Sequence, residues 1–201
     1  MARAFRRLVG EPHGGGNAAA QARYKAAKAV YQQIASESGG GTQPTGTIFT
    51  SQLPTMFEND SPYELGTRFS AEVPGQVTAV RVYTNILEGG VHTVRIWRVA
   101  DGTPVAGPYT WNISPGTEGW KTFSLQPALH IDANTDYIVA VSNSSDRYYA
   151  EQPHGFDAPI ANGALHTYVG SGVYTDVVGA MPAFNWSNTN YFRDVIFQPG
   201  T

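Results

Sequence analysis

The sequence predicts an all-β fold: an antiparallel jelly-roll-type β-sandwich preceded by an N-terminal α-helical arm. Three observations carry that prediction. Charged residues make up only 14% of the 201 positions while Gly, Pro, Thr, Asn and aromatic residues abound, the usage of a turn-rich β protein with weakly charged loops. From residue 47 onward, short alternating apolar stretches recur at intervals of roughly 8–14 residues with no long helical pattern between them. Ahead of them, residues 18–36 are rich in Ala, Gln, Lys and Arg, which favour helix. The chain therefore divides into a basic arm with Gly-rich linkers, 1–46, and a sandwich domain, 47–201. A domain of about 150 residues buries roughly two-thirds of its unfolded surface and needs no disulfide or metal to fold. The absence of cysteine excludes thiol chemistry and zinc–thiolate sites.

The arm opens with Arg3, Arg6 and Arg7, but Phe5, Leu8 and Val9 never form the run of roughly 7–15 apolar residues of a secretory signal. No stretch approaches the roughly 20 apolar residues of a membrane span, so no membrane partner is expected. Three arginines without interleaved aromatics do not make a nucleic-acid arm, and no nucleic-acid partner is expected either. Asn17 is a good N-cap for the helix, and Gly39-Gly40-Gly41 ends it. Within it Ala20, Tyr24, Ala27, Tyr31 and Ile34 follow spacings of four, three, four and three, a heptad seam two heptads long. So short a helix needs a surface to dock on: its own domain, copies of itself, or another protein. Residues 1–37 carry six basic residues against Glu11 and Glu37, net +4, whereas the remaining seven basic and fourteen acidic residues leave 38–201 at −7. A basic arm on an acidic body predicts that the two face different partners, although lysines on the wet face of an amphipathic helix also account for it.

The strands begin with the best-patterned stretch. Tyr63, Leu65, Thr67 and Phe69 alternate with Glu64, Gly66, Arg68 and Ser70, which places apolar side chains on one face and polar ones on the other. Strands are predicted at 47–51, 63–73, 77–84, 91–99, 105–112, 120–126, 137–142 and 191–198. Ala100-Asp101-Gly102-Thr103-Pro104 carries the Asp-Gly signal of a hairpin turn.

Tyr63-Glu64-Leu65-Gly66-Thr67-Arg68-Phe69 resembles the opening motif of an uncharacterised bacterial β-sandwich family found beside Ig-like and fibronectin-type modules in extracellular proteins. The resemblance continues through Arg95-Ile96-Trp97, Ala100-Asp101-Gly102-Thr103, Gly119-Trp120, Ala133-Asn134-Thr135-Asp136-Tyr137, Asn162-Gly163-Ala164-Leu165, Gly172-Val173-Tyr174 and Asn190-Tyr191-Phe192-Arg193-Asp194-Val195, covering roughly residues 48–198. It implies a sandwich and a surface-exposed role, and brings no catalytic residues to carry over. The basic arm and the lack of an export signal depart from it.

Chemistry-bearing residues are few. Glu151 and Asp157 share a loop with His154 and resemble a glycosidase acid/base pair only in residue type; solvated loop charges explain them as well. His92, His130 and His166 lack the spacing of a zinc site. Asp60, Glu64 and Asp194 are the carboxylates that a structural calcium ion would require, but pairing of Glu64 and Asp194 with Arg68, Arg193 or backbone amides is the stronger expectation, and no cofactor is predicted. The aromatic surplus points to ligand binding: Trp186, Tyr148, Tyr149 and Tyr174 lie in polar surroundings, as flat rings do in sugar-binding sandwiches. Trp97 and Trp120 are expected to plug the core instead.

The function expected from the sequence is a non-enzymatic structural or attachment protein displayed on a large assembly, most simply a phage virion as a capsid decoration, head fibre or minor tail protein. It would be made in the host cytoplasm, released by lysis, homo-oligomeric, docked on other virion proteins through residues 1–40 (Arg3, Arg6, Arg7, Tyr24, Tyr31, Ile34), and able to bind host surface glycans. The alternative is a carbohydrate-binding module of a bacterial cell-surface protein, or a glycan hydrolase on this fold.

Overall fold

A computed structural model describes residues 45–143 and 147–200. The arm helix predicted at 18–36 lies outside the described residues. All regular structure among them is β: β1 (Gly46–Thr47), β2 (Met56–Glu58), β3 (Glu64–Ala71), β4 (Gly75–Thr84), β5 (Gly90–Arg98), β6 (Thr103–Ile113), β7 (Gly119–Ile131), β8 (Tyr137–Ser142), β9 (Tyr149–Glu151), β10 (Ala161–Asn162), β11 (Leu165–His166), β12 (Gly172–Thr175) and β13 (Arg193–Pro199).

Two antiparallel sheets form the body. One has four strands in the order β1-β13-β4-β7; the other has seven, β10-β11-β3-β8-β5-β6, with β12 also paired to β3. The chain alternates between them, so β3, β5 and β8 lie in the larger sheet while the intervening β4 and β7 lie in the smaller. One apolar cluster unites Val77, Val80, Leu125, Val195 and Phe197 of the small sheet with Phe69, Val94, Ile96, Val139 and Val141 of the large one, which defines an antiparallel β-sandwich. Trp97 is buried in a second cluster with Ile138, Ala140 and Val173. Trp120 stacks on Phe49, so both tryptophans serve the interior as expected.

The hairpin signal is realised where Gly102 adopts φ 65° and Asp101 Oδ1 accepts the Thr103 amide at 3.0 Å. The predicted end of a strand at Gln126 is too early. Pro127 has no N–H to donate, but it falls where pairing skips from Ala79↔Ser124 to Val77↔Leu129, so β7 bulges around the proline and continues to Ile131. Five short strands are additional to the predicted set (β2, β9, β10, β11 and β12), and β9 runs through what the sequence marked as a loop.

The alternation of β3 is real, and its polar face is itself largely buried: Glu64 has no exposed surface, and Gly66 and Ser70 are covered. The covering comes from the excursion between β8 and β13. Val173 of β12 packs on the Trp97–Ile138–Ala140 cluster, with Met181 against it, and the Gly179 amide donates to Glu64 Oε2 at 3.0 Å. A β-carbon on Gly66 would lie 2.7 Å from Ile138 Cγ2 of the neighbouring β8 and 3.4 Å from Val173 Cγ2 of the covering layer.

Candidate functional site

Where β3 begins, the larger sheet, the β2–β9 ribbon and the segment entering β13 enclose a cleft of about 410 Å³. Three pieces of chain build it. Tyr63 and Leu65 occupy the core-facing side of β3, and Tyr174 of β12 pairs directly with Leu65, which places its ring on the same side. The β2–β9 ribbon contributes Glu58, opposite Tyr149, together with Glu151 two residues on; period-two alternation puts all three on one face. The other face, Phe57 and Ala150, turns away, and Phe57 stacks on Tyr83. The segment entering β13 adds Tyr191 and, from a turn closed by Thr189 N donating to Trp186 O at 2.9 Å, Trp186.

The four tyrosines close into a ring. Tyr63 meets Tyr149 at 5.9 Å between centroids and 90° between planes, and Tyr149 meets Tyr191 at 6.3 Å and 63°. Tyr191 meets Tyr174 at 6.4 Å and 67°, and Tyr174 returns to Tyr63 at 5.7 Å and 87°. Every contact is edge-to-face, the arrangement that sets positive ring edge against negative ring face. Leu65 floors the ring, and Trp186, 63% exposed, stands at the rim.

Three carboxylates complete the lining: Glu58, Asp60 and Glu151. Asp60 anchors the ring by accepting the Tyr149 hydroxyl at 3.1 Å and the Tyr63 hydroxyl at 3.3 Å, plus the Ser61 amide at 2.8 Å. Burial, reinforced by Glu58 and Asp60, pushes the Glu151 carboxyl above the usual carboxylate range. Burial and then the neighbouring carboxylates raise the phenols of Tyr149 and Tyr191, and burial raises that of Tyr63. Positive charge comes near from two directions. Arg147 Nη1 donates to the Asp60 carbonyl at 3.3 Å on the outside, and fully buried Arg193 holds the Tyr191 carbonyl from beneath. Desolvation lowers the Arg193 pKa to about 10, opposed by Glu88, Tyr149 and Glu64.

Of the residues the sequence marked for ligand binding, the structure gathers Trp186, Tyr149 and Tyr174 in this cleft, while half-buried Tyr148 does not line it. The Glu151/Asp157 pair separates: Glu151 lines the cleft, but Asp157 accepts Asn188 Nδ2 at 2.9 Å and sits 3.3 Å from His154 Nδ1 in an exposed turn. The carboxylates considered for calcium also part. Asp60 serves the tyrosines, Glu64 binds Arg95 at 3.0 Å and the Gly179 amide, and Asp194 pairs with Arg81 and takes the Ile48 amide at 2.8 Å. Arg68 pairs with Asp136, and Arg193 with carbonyls, so neither predicted arginine partner is used. Among the described residues no group of three His, Cys, Asp or Glu side chains is arranged to hold a metal. Arg3, Arg6, Arg7, Tyr24, Tyr31 and Ile34 lie outside the described residues.

Sequence reasoning missed Glu58 entirely and treated Tyr63 and Tyr191 only as strand residues. A local signal existed in the alternation Tyr149-Ala150-Glu151, which is a strand pattern, but its partner strand lies more than 90 positions upstream.

The class is that of an antiparallel β-sandwich module with a solvent-open aromatic cleft at one end. The chain belongs to the family described as Domain of unknown function (DUF4082), which it matches over residues 50–193. No curated protein matches it. Among solved structures it resembles a clostridial cysteine protease, Cwp84 after propeptide cleavage, with a TM-score of 0.50 and 12% identity over 78% of this chain and 40% of that one. The likeness is one of fold. The match spans under half of the longer protein, and this chain has no cysteine to act as a thiol nucleophile.

Proposed function

We propose that the sandwich is a non-catalytic carbohydrate-binding module of a bacterial cell-surface protein, and that the tyrosine-ringed cleft is its binding site. The cleft itself carries this reading. Four tyrosines and an exposed tryptophan offer flat apolar faces with polar edges, which complement a sugar ring whose C–H face is apolar and whose rim is hydroxylated. The motifs that resemble those of extracellular modules support a surface setting over the virion role expected from the sequence. Residues 1–40 are proposed as the docking element toward other proteins of the assembly or toward further copies of the chain.

The test is titration of the full chain against cell-wall and chitin-type oligosaccharides, comparing the parent with Trp186→Ala and Tyr174→Ala. A loss of about tenfold or more in either variant without a change in melting temperature is expected from deletion of an aromatic platform. Unchanged binding by both variants would remove the cleft from consideration.

One observation favours hydrolysis as a second reading. Glycoside hydrolysis uses a pair of carboxyl groups flanking the scissile bond, and Glu58, Asp60 and Glu151 line one cleft. Sugar release abolished by Glu151→Gln would establish it; no turnover is expected.

A further inference from the structure

Resting on the carbohydrate reading above, we propose that the cleft selects a cationic sugar: a glycan presenting a free primary amine, such as a de-N-acetylated amino sugar, whose ammonium group enters the tyrosine ring.

The lining decides the sign of the ligand. Glu58, Asp60 and Glu151 are its only charged residues, and no basic side chain lines the cleft among the described residues. The domain around it is also acidic, with a net charge of −7 over residues 38–201, which attracts cations and repels uronic or phosphorylated sugars. Arg193 beneath the ring has Glu88 and Glu64 near it, and Arg147 meets the backbone of Asp60 from the exposed side, so neither places a cation inside the cleft.

The ring geometry fits an ammonium group. Neighbouring centroids are 5.7 to 6.4 Å apart around a closed four-membered circuit. A cation at its centre therefore lies within roughly 6 Å of all four centroids, the range over which a ring face turned toward it attracts charge. Aromatic cages of this kind also hold quaternary ammonium groups, and the carboxylates separate the two possibilities. A quaternary ammonium has no N–H to donate. Among the described residues neither Glu58 nor Glu151 receives a hydrogen bond from another side chain. Two partly buried carboxylates with acceptor capacity left over call for a ligand that brings donors, and a primary ammonium brings three. Trp186 at the rim is placed to stack on the adjoining sugar ring.

The experiment is calorimetric titration of the full chain with a glucosamine trimer, its fully N-acetylated counterpart and tetramethylammonium, at a pH where the sugar amine is charged. The free-amine trimer is expected to bind at least about tenfold more tightly than the acetylated one, the scale of a charge-assisted hydrogen bond in a partly desolvated site. Glu151→Gln should erase most of that preference, while Glu72→Gln on an exposed turn should leave it intact. Equal affinity for the two trimers would overturn the cationic assignment and leave the carbohydrate reading standing. Binding of tetramethylammonium without either trimer would overturn both in favour of a small-cation cage. No binding by any of the three would overturn the cationic assignment, and the wider oligosaccharide titration would then decide the carbohydrate reading alone.

Discussion

The two sheets of the sandwich are built on different terms. In the four-stranded sheet β4 alternates between buried and accessible positions, so one face meets the core and the other meets solvent. In the seven-stranded sheet β8 is buried at every position and β3 at all but one. Its second face is roofed by the excursion between β8 and β13, and the same excursion supplies Tyr149, Glu151, Tyr174, Trp186 and Tyr191 to the cleft. The simple sheet is a platform. Both sheets bury charge, Arg193 and Asp194 on β13 of the smaller and Glu64 on β3 of the larger, but only the doubly covered one carries strands that wall the cleft. That difference is what the following predictions break or sharpen.

The largest effect is expected at Gly172. A β-carbon there would fall 1.6 Å from the Thr189 carbonyl oxygen, a collision with backbone that no rotamer relieves. Gly172→Ala should cost at least about 3 kcal/mol and lower the melting temperature by roughly 6–12 °C, with binding lost as the roof shifts. In the platform sheet Gly46 has nothing within 4 Å of its would-be β-carbon, and Gly46→Ala should leave the melt within about 0.5 kcal/mol of the parent. Thermal denaturation of both compares a glycine packed under the roof with one beside open space.

Next come the ion pairs on the roofed face. Arg95 meets Glu64, which is fully buried, whereas Arg68 meets Asp136 with both partners substantially exposed. Arg95→Ala strands a buried carboxylate and should cost about 3–5 kcal/mol. Arg68→Ala, removing one half of the more exposed pair, should cost about 1 kcal/mol or less. Similar losses in the two variants, read by urea denaturation, would show that the roof does not exclude water from Glu64.

The pH dependence should be smaller and opposite in sign in the two environments. Burial raises the carboxyls of Glu64 and Glu151, so the native state holds more protons than the unfolded chain between the ordinary carboxylate pKa of about 4.3 and the raised values, and stability falls as pH rises through that window. Hydrogen bonding depresses Asp101 and Asp157 in exposed turns, so their contribution is present above the ordinary value and lost as pH falls through the depressed one. Glu151→Gln should therefore flatten the decline above about pH 4.3 without touching the acid limb. A variant whose melting temperature keeps the parent's slope in that window would assign the decline to Glu64 and Asp194 instead.

What the sequence made legible follows the same division. Period-two alternation over β3, β4, β5 and β8 located the platform and the core because those patterns depend only on neighbours along the chain. Tyr149 and Tyr174 were recognisable as rings in polar surroundings for the same reason. The burial of Glu64 was not legible because alternation reports polarity, and a buried glutamate satisfied by Arg95 and the Gly179 amide reads no differently from an exposed one. The cleft was illegible as a unit. Its tyrosines come from positions 63, 149, 174 and 191, and they meet only through the β2–β9 and β3–β12 pairings, whose two- to four-residue strands carry almost no periodic signal. Phe192 adds a feature that sequence does not mark: a buried aromatic residue at φ 56°, held by the Asn190 side chain accepting its amide at 2.8 Å, which turns Tyr191 toward the ring.

The smallest effect on the sandwich is expected from removing the arm. Residues 1–37 carry +4 and the remainder −7, and the core cluster draws its members from Ile48 to Phe197. The first strand, β1, pairs with β13 at Gly46 and Thr47, so a chain starting at Gln43 retains every strand of both sheets. If the arm's task is docking, deletion of 1–42 should leave a cooperatively melting domain with its midpoint within about 2–4 °C of the parent, the shift produced by about 1 kcal/mol in a domain of this size. Glycan binding should be unchanged, because no residue of the cleft precedes Glu58. Association should change instead: the full chain should sediment as an oligomer or with its assembly, and the truncated chain as a monomer. Tyr24→Asp combined with Tyr31→Asp should reproduce the truncation, since a carboxylate on the docking seam would have to be buried unpaired. An unchanged sedimentation coefficient per unit mass in both variants would place the contacts on the sandwich, with the exposed Val177, Val178 and Phe184 beside the roof as the next surface to mutate.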